Sequence, residues 1–382
     1  MTISAPLFFD PADAPLPLSE DSDPAIAAFL QKAADQPLAV HIPNAQGIDL
    51  RAIRHGPHLL PVTISHSGMG GSYVVQPHSA YVGYAKDELH EAGLGMAAPL
   101  VGAGLSAIGG LLRAANINRV AMLDNFLFAT NLHGNWQGEG IAAMREAVLA
   151  DYADHMLAIR SVDDWSSPAL YQALNDDGWL MIPSRQIWVI DDVAAQWRPR
   201  SHTKSDRRKF RKSGLVAEGI SVMTPGDAER IAALYKALYL DKYSMLNPQF
   251  TPEWIRLLST SGLVDFQVVR DREGTIMGVA GCFARGDVLT VPVLGYDMTA
   301  PREAALYRIA SLLFGDYAIE HNLRLNCSAG AGSFKAARGA RSHIEYMACY
   351  IAHLPKTRQM AMRAMACGMR EIAMPALVKR GL

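Results

Sequence analysis

Hydrophobic residues follow two spacings along this chain, and the two spacings alternate. In some segments they recur every three or four positions, which is typical of helices that bury one face; in others they form short continuous runs, which is typical of buried strands. Helices are predicted over residues 24–34, 86–115, 138–157, 169–174, 204–212, 225–239, 303–320 and 333–339. Strands are predicted over residues 59–65, 72–76, 119–128, 179–190, 220–223, 264–270, 276–284, 288–294, 323–328 and 344–351. Strands that alternate with helices favour an α/β layer architecture.

The second half shows the clearer order of elements. Its three strand-like runs between residues 264 and 294 are separated by Arg272-Glu273-Gly274 and Arg285-Gly286-Asp287, which are typical of hairpin turns. After these three strands come a helix, a strand, a helix and a strand. The first half has a similar order of elements, but the two halves share no sequence identity that would demonstrate a repeat. A chain of 382 residues is also long enough for two cores. We therefore expect an α/β (α+β) protein with two tandem domains, each a mixed twisted sheet flanked by helices, over residues 1–195 and 196–382.

The composition indicates a folded protein without a strong overall electrostatic field. Half of the residues are hydrophobic, 19% are charged and the net charge is −1, so any attraction to nucleic acid or to an anionic surface has to be local. The cysteines are widely spaced, and neither a metal site nor a disulfide framework is expected from them. The first 18 residues lack a basic start and a long apolar core, so no signal peptide is predicted and a cytoplasmic location is expected.

Two segments have the character of lipid-contacting elements. Residues 92–112 carry no charge, but Pro99 and several glycines weaken a spanning helix, so a buried or surface-lying helix is favoured over a membrane-dipping one. The tail from Pro355 places Lys356, Arg363 and Arg370 on one helical stripe among methionines. This pattern predicts an amphipathic basic helix, which either packs with a solvated edge or lies peripherally on a membrane.

A basic cluster lies just beyond the predicted domain boundary. Eight lysines and arginines fall between residues 198 and 212, opposed only by Asp206. Lys204, Arg207, Arg208 and Arg211 share one face of the predicted helix, because they are three or four residues apart. Such a face suits the phosphates of coenzyme A, of a tRNA backbone or of lipid head groups. The alternative is a solvated charged helix.

A glycine-rich turn in the second half is a candidate site for an anion or an acyl carbonyl. Gly330 and Gly332 follow a predicted strand and lead into a short helix that carries Lys335, with Arg338 close behind. Glycines let a ligand approach the main chain, and amide groups point outward at such a turn. Arg338 is expected either to assist there or to pair with Glu345.

Other polar residues are candidates for substrate binding. In the first half, Asn125, Thr130 and Asn131 come at the end of an apolar strand, where ligands commonly bind in open α/β sheets. His66 and Tyr73 flank a glycine-rich loop. The alternative for each is a capped strand or an ordinary turn.

The order of these motifs resembles the second half of tandem GNAT-like acyltransferases. The motifs are the basic segment 201–212, Gly295-Tyr296-Asp297, Leu306-Tyr307, and Gly330-x-Gly332 with Phe334-Lys335 and Arg338-Gly339. The likeness covers residues 180–355 and extends to Fem-like aminoacyltransferases and bacterial ceramide-synthase-like N-acyltransferases. One departure stands out. GNAT enzymes bind the coenzyme A pyrophosphate with an Arg/Gln-x-x-Gly-x-Gly/Ala loop, but residues 299–304 contain no glycine, as in Fem-like enzymes.

The resemblance implies an N-acyltransferase of the GNAT superfamily. Asp297 is then the expected base or amine-orienting carboxylate, and Lys335 the group that stabilises developing negative charge or binds a phosphate. Tyr296 and Tyr307 are expected to orient substrate or to protonate a leaving thiolate. Acyl-CoA is the expected co-substrate, with no permanently bound cofactor. The expected acceptor is a lipid-like or small-molecule amine, such as a sphingoid base. Two alternatives remain: aminoacyl transfer from tRNA, and a non-catalytic module that binds membrane surfaces.

Overall fold

The computed structural model of the chain describes residues 5–13, 15–88 and 98–380. The strands are β1 (Leu7–Phe9), β2 (Ile48–His55), β3 (His58–His66), β4 (Arg119–Leu123), β5 (Met156–Val162), β6 (Leu180–Ile190), β7 (Val216–Gly219), β8 (Asp265–Arg270), β9 (Ile276–Arg285), β10 (Val288–Tyr296), β11 (Arg324–Asn326) and β12 (Arg341–Tyr350). The helices are α1 (Pro24–Ala34), α2 (Leu38–His41), α3 (Tyr84–Glu88), α4 (Ala98–Ala114), α5 (Ile141–Asp151), α6 (Pro168–Asp176), α7 (Val193–Gln196), α8 (Ser201–Ser213), α9 (Pro225–Tyr235), α10 (Pro252–Thr260), α11 (Leu306–Glu320), α12 (Gly332–Ala336), α13 (Lys356–Gly368) and α14 (Met374–Arg380). Short π-helical segments precede α3, follow α9 and join α13 to α14.

All these strands belong to one mixed sheet in the order β1-β2-β3-β4-β5-β12-β6-β11-β10-β9-β8-β7. Each end of the sheet is an antiparallel meander, and each half contains one parallel pair, β4 with β5 and β10 with β11. The predicted fold class, a mixed twisted sheet flanked by helices in each of two halves, is confirmed.

The two halves exchange a strand at the centre of the sheet. β12 comes from the end of the chain but pairs with β5 of the first half on one side and with β6 on the other. β6 in turn pairs with β11 of the second half. The two halves therefore share one continuous sheet, and the predicted division into domains at residue 195 stays a prediction.

Both parallel pairs of strands are short, and in each pair the two strands separate beyond the paired residues. β4 pairs with β5 only through Leu123, after which residues 124–133 form what we call the first opening. β10 pairs with β11 only over Val288–Thr290, and residues 327–331 beside the end of β10 form the second opening. Polar groups beyond separating strands lie at a natural place for a ligand.

One core joins the two halves. Phe126 and Phe128 of the first opening pack on Phe283 of β9, with ring centroids 5.2 and 5.1 Å apart, and Phe128 also meets Phe250 at 6.4 Å. Such aromatic pairs each contribute about 0.5–1.5 kcal/mol beyond the area they bury. The packing therefore ties the first opening to the body of the second half.

Most predicted helices and strands are present, and the errors have local causes. Residues 72–76 were expected to be a strand but form a turn, because Gln76 accepts a hydrogen bond from the Gly71 amide and Asn125 donates to the Val74 carbonyl. The helix predicted over residues 138–157 ends at Asp151, and the apolar run at its end belongs to β5. The strand predicted over residues 220–223 lies instead at Val216–Gly219. β1, β2 and α10 were not predicted.

Candidate functional site

Lys335 holds the loop of the second opening from within. Its ammonium donates to the carbonyls of Cys327, Ser328 and Ala329 at 2.6, 3.1 and 2.7 Å, which uses its three N–H groups. To turn these carbonyls inward, the loop adopts left-handed backbone angles at Ser328 (φ 59°), Gly330 (75°) and Ala331 (49°). Such angles at residues with a side chain store strain, which clusters at ligand sites.

The outer side of this loop is accessible. A Cβ added to Gly330 would meet no atom within 4 Å, so a ligand can approach the main chain there. The amides of residues 329–332 have no acceptor among the residues that the structure describes. Gly332, the other predicted glycine, is buried at the start of α12.

Aromatic rings lie between the segments that carry Asp297 and Lys335. Tyr296 lies 5.7 Å from Tyr307 between ring centroids, and Tyr307 lies 4.8 Å from Phe334. These ring contacts join the end of β10 to the start of α12, but the Asp297 carboxylate itself contacts Arg230 of α9 and Thr299, and no contact links it to Lys335 among the described residues. The catalytic roles of Asp297 and Lys335 stay a prediction.

Asp297 is an ionised, partly engaged carboxylate. Its Oδ1 accepts hydrogen bonds from the amide and hydroxyl of Thr299, and its Oδ2 lies 2.7 Å from Arg230. These bonds from Thr299, followed by the contact with Arg230, lower the pKa of Asp297 despite its burial. A carboxylate of lowered pKa is better suited to bind an ammonium group than to act as a general base.

Tyr307 and Cys327 both keep their protons at this site. Burial, together with neighbouring Tyr243 and Cys327, raises the pKa of Tyr307 well above its ordinary value. Burial also raises the pKa of Cys327 to about 11, against the opposing charge of Lys335. A thiol with a raised pKa is a poor nucleophile, whereas a protonated tyrosine can donate to a leaving group.

A buried cluster of charges lies next to this opening, at the seam between β5, β12 and β6. Arg185 of β6 binds Glu345 of β12 through two hydrogen bonds of 2.7 and 3.1 Å. Arg160 of β5 donates to the carbonyls of Phe128 and Ala129. We call Arg160, Arg185, Lys335 and Glu345 the seam cluster.

The seam cluster has more positive than negative charge. Among the residues that the structure describes, Glu345 is the only carboxylate that pairs with any of its three cations. Burial, followed by the charge of Arg185, lowers the pKa of Arg160 to about 10. Burial likewise lowers the pKa of Lys335 to about 8, with a smaller contribution from Arg185. These shifts have the sign expected where buried cations lack anionic partners.

Thr130 joins the two openings. Its hydroxyl donates to Ser328 Oγ at 2.9 Å and accepts from Arg185 at 2.8 Å. The predicted substrate residue therefore lies at the point where the loops of both halves and the seam cluster meet.

The other polar residues of the first opening stabilise its loop. The Asn125 amide donates to Thr63 Oγ1 and to the Val74 carbonyl, and its oxygen accepts from the Leu127 amide. The Asn131 oxygen accepts from the Phe126 amide. Both asparagines are fully buried, so their polar atoms face protein rather than an open cleft.

An ion network seals the first opening from the second half. Asp124, fully buried, lies 2.7 Å from His133 Nδ1 and 2.9 Å from Arg285 of β9. Burial raises the pKa of Asp124, but Arg285 and the hydrogen bond from His133 outweigh burial and lower it overall. The other nitrogen of His133 lies 3.0 Å from the Arg160 carbonyl, which connects this network to the seam cluster.

The glycines before α5 serve packing. Gly138 and Gly140 sit at a helix start, as a pyrophosphate loop would, with φ of 94° and 75°. A Cβ on Gly140 would overlap the His55 ring, and one on Gly138 would overlap Ala173. The adjacent Glu139 carboxylate already accepts from the Gln137 amide.

His66 lies apart from the other predicted substrate residues. It pairs with Arg119, the first residue of β4, whereas the first opening follows the last residue of β4. Its imidazole contacts Asp49 at 2.8 Å at the surface. Tyr73, in contrast, lies near the seam cluster, with its ring 5.9 Å from the Arg160 guanidinium.

The basic helix α8 packs beside the second opening through one buried acid. Asp206, fully buried, binds both Arg308 of α11 and Arg338. The expected pairing of Arg338 with Glu345 is therefore wrong, since Glu345 pairs with Arg185. Lys204, Arg208 and Arg211 are exposed, whereas Arg207 pairs with Asp316.

Sequence reasoning missed Arg160 and Arg185 as site residues. A charge inside an apolar run was the available signal, because Arg160 lies within Met156–Val162 and Arg185 within Leu180–Ile190. Their meeting depends on the position of β12, which local sequence patterns do not reveal.

Two open cavities lie away from the seam cluster. One, of about 260 Å³, lies between the edge strand β7 and α11. The other, of about 230 Å³, lies at the end of α4. We place the candidate site at the seam cluster instead, because converging, undercompensated charges call for a ligand more specifically than an open groove does. No group of potential metal ligands is present among the described residues.

Comparisons with known proteins show likeness at the level of structures. No protein-family model and no curated protein sequence matches the chain. L-PGS from Bacillus licheniformis is 11% identical, with 65% of this chain and 82% of that chain covered and a TM-score of 0.45. FemX is 10% identical, with 58% and 78% covered and a TM-score of 0.46. A tandem GNAT protein from the clavulanic acid biosynthesis pathway is 11% identical, with 85% and 87% covered and a TM-score of 0.37.

The sequence motifs resemble those of Fem-like and tandem GNAT proteins, and structures of both kinds are among those to which this chain is similar. Since all these TM-scores are below 0.5, the function proposed next rests on the geometry of the site.

Proposed function

We propose that this protein transfers an acyl group from an activated donor to an amine at the second opening. The observation that carries the proposal is the seam cluster, in which buried Arg160 and Glu345 and half-buried Arg185 and Lys335 converge where the loops of both halves meet. Acyl transfer passes through a tetrahedral intermediate with a negatively charged oxygen. Preorganised positive groups in a water-poor site stabilise such an oxyanion strongly.

The residues around the opening match the steps of the reaction. The amine nitrogen, in its neutral form, forms a bond to the carbonyl carbon, the carbon–sulfur bond of a thioester breaks, and the proton that the nitrogen loses ends on the leaving thiolate. We propose Asp297 as the carboxylate that binds the ammonium form of the acceptor before it loses a proton to water, and Tyr307 as the hydroxyl that donates its proton to the leaving thiolate and takes the amine proton in exchange. The buried Asn326 amide nitrogen, next to Cys327, has no acceptor among the described residues and is a further donor for the carbonyl.

For the donor we propose acyl-CoA, and for the acceptor a lipid-like amine such as a sphingoid base. The exposed Lys204, Arg208 and Arg211 on α8 support a donor that carries phosphates. Exposed Met298 and Tyr243 near the opening suit an apolar acceptor.

Aminoacyl transfer from tRNA is the second candidate. It is favoured by the start of α11, where a 3-10 turn over Arg302–Ala304 and a left-handed Ala305 replace a glycine loop. Ribonuclease treatment separates the two donors, because it abolishes transfer from tRNA and leaves transfer from acyl-CoA unchanged.

The decisive experiment compares Lys335→Met with wild type in an amide-forming assay read by mass spectrometry. We expect kcat to fall about 100- to 1000-fold, because the Lys335 ammonium holds the loop whose amides, together with its own charge, would stabilise the oxyanion. Lys335→Arg retains the charge and should recover part of the rate. Lys212→Met, an exposed lysine on α8, is the matched control and should behave like wild type.

Circular dichroism and thermal unfolding show whether the Lys335→Met variant is folded. If a folded Lys335→Met protein transferred acyl groups at the wild-type rate, the proposed site would be wrong. Absence of transfer by the wild-type protein with either donor class would support the non-catalytic alternative.

A further inference from the structure

The C-terminal helices present an outward face that combines cations with exposed apolar side chains. From α13 through the π-helical segment Met369–Ala373 to α14 the chain is continuously helical. Lys356, Arg363 and Arg370 are exposed along it. Between them, Met360 is 69% exposed and Ile372 is 73% exposed. This is the pattern of a helix that lies in the interface of a bilayer.

The charge of this segment is strongly one-sided. Residues 356–380 contain six basic residues and a single acidic one, Glu371, in a chain whose net charge is −1. Lys356 and Arg363 have no carboxylate partner among the described residues. The segment therefore attracts anionic surfaces although the whole protein does not.

α4, next to the C-terminal helices, also carries exposed apolar side chains. It packs beside α13, and its Leu112 shares a core cluster with Met362 and Met365 of α13. On its outer side, Ile108 is 47% exposed and Leu111 is 52% exposed. The inner sides of both helices are buried in that core, whereas Ile108 and Leu111 are left exposed by the residues that the structure describes.

A polar pocket lies at the end of α4. The cavity of about 230 Å³ is lined by Arg113, Asn116 and Asn118, with Met69 at its edge. Arg113 is the only charged residue of α4. The Asn118 side chain is engaged with His78 and Gly68, so Arg113 is the group of this pocket that suits the phosphate of a lipid head group.

We infer that α4 and the helices from α13 to α14, together the lipid face, dock on an anionic lipid bilayer. The exposed isoleucines and leucine do not suit a nucleic-acid backbone, and two copies of so basic a segment repel each other. None of the helices that the structure describes has the length and apolar character needed to cross a bilayer. Docking is therefore by contact with one leaflet, and it does not depend on the proposed acyl transfer.

Vesicle binding of the full-length protein tests this inference. We expect co-sedimentation with vesicles that contain phosphatidylglycerol and little with pure phosphatidylcholine. The double variant Arg363→Gln/Arg370→Gln should bind about thirtyfold more weakly, because each basic residue near an anionic membrane surface contributes on the order of 1 kcal/mol. The matched control is Arg208→Gln/Arg211→Gln, which removes the same charge from the exposed face of α8 and should retain binding.

A fluorophore on Cys367 reports insertion directly. Cys367 is exposed on α13, and replacing the half-buried Cys327 by serine restricts labelling to it. A blue shift on phosphatidylglycerol vesicles that Ile372→Ser diminishes would support the lipid face. Equal weakening by the α8 control, or an unshifted probe on bound protein, would overturn it.

Discussion

The two openings arise from the same arrangement of strands but differ in what fills them. In the first opening, residues 124–133 are buried except for Ala129, and Phe126, Phe128 and the Asp124–His133–Arg285 network occupy the space beyond β4. In the second opening, residues 327–331 are half-buried or exposed, and the charges of the seam cluster are undercompensated. The difference indicates that one opening stabilises the protein and the other is available for a ligand.

The same residue type has a different task in each opening. Asp124 is held by Arg285 and by His133 inside the core, whereas Asp297 is half-buried and has Arg230 as its one arginine partner among the described residues. A division of labour of this kind lets the first half act as a rigid support. Positioning of Thr130 against Ser328 then depends on how firmly the first opening is closed.

Removing Asp124 should give the largest effect on stability. Asp124→Ala leaves Arg285 and His133 buried without a carboxylate, and we expect the free energy of unfolding to fall by about 3–5 kcal/mol. Denaturant unfolding measures the change. Asp49→Ala is the control, because Asp49 pairs with His66 at the surface and should change stability by about 1 kcal/mol or less. Similar losses of unfolding free energy in both variants would mean that the Asp124 network does not stabilise the first opening.

The pH dependence of stability sharpens this test. The pKa of Asp124 is lowered in the folded protein, so its contribution is fully present above the ordinary value of 3.8 and is lost as the pH falls through the lowered folded pKa. The difference in unfolding free energy between wild type and Asp124→Asn should therefore shrink as the pH falls below 3.8.

A pair of glycines offers an intermediate test of the same comparison. Gly140 and Gly330 share a φ of 75°, but a Cβ on Gly140 would overlap His55 whereas one on Gly330 would meet nothing. Gly140→Ala should destabilise by about 3 kcal/mol, from the left-handed backbone and from overpacking. Gly330→Ala should cost about 1 kcal/mol, from the backbone alone. Equal losses in thermal unfolding would remove the contrast between the closed and the open loop.

The basic face of α8 should show the smallest effect. If the donor enters the second opening, we expect its phosphates to lie against α8. The variant Arg208→Gln/Arg211→Gln should then raise the KM for the donor about fivefold and leave kcat unchanged, because exposed charge pairs contribute up to ~1 kcal/mol. A short thioester without phosphates is the control substrate, and its kinetics should not change. A change in kcat with both substrates would contradict a role limited to phosphate binding.

The sequence predicts local elements well where a turn or cap marks their ends. α1 has the predicted bounds, because Asp23 caps it and Pro24 occupies its first position. β8, β9 and β10 follow from their hairpin turns. The loop that carries Gly330 and Lys335 was also visible, because glycines after an apolar strand are an unusual local pattern.

Long-range pairing was not predictable in the same way. Glu345 meets Arg185 across 160 positions of sequence, and Thr130 meets Ser328 across 198. No local pattern selects one distant partner over another. The inward orientation of Lys335, toward three carbonyls, likewise depends on the left-handed angles of the loop rather than on residue type.

The exchange of β6 and β12 also bears on how the protein is made. During synthesis, β5 and β6 emerge from the ribosome long before residues 341–350, so their facing edges must wait without a partner. Unpaired strand edges invite aggregation. The nascent first half is therefore the stage at which this chain most needs a chaperone, and a fragment that ends near residue 195 keeps that exposed edge permanently.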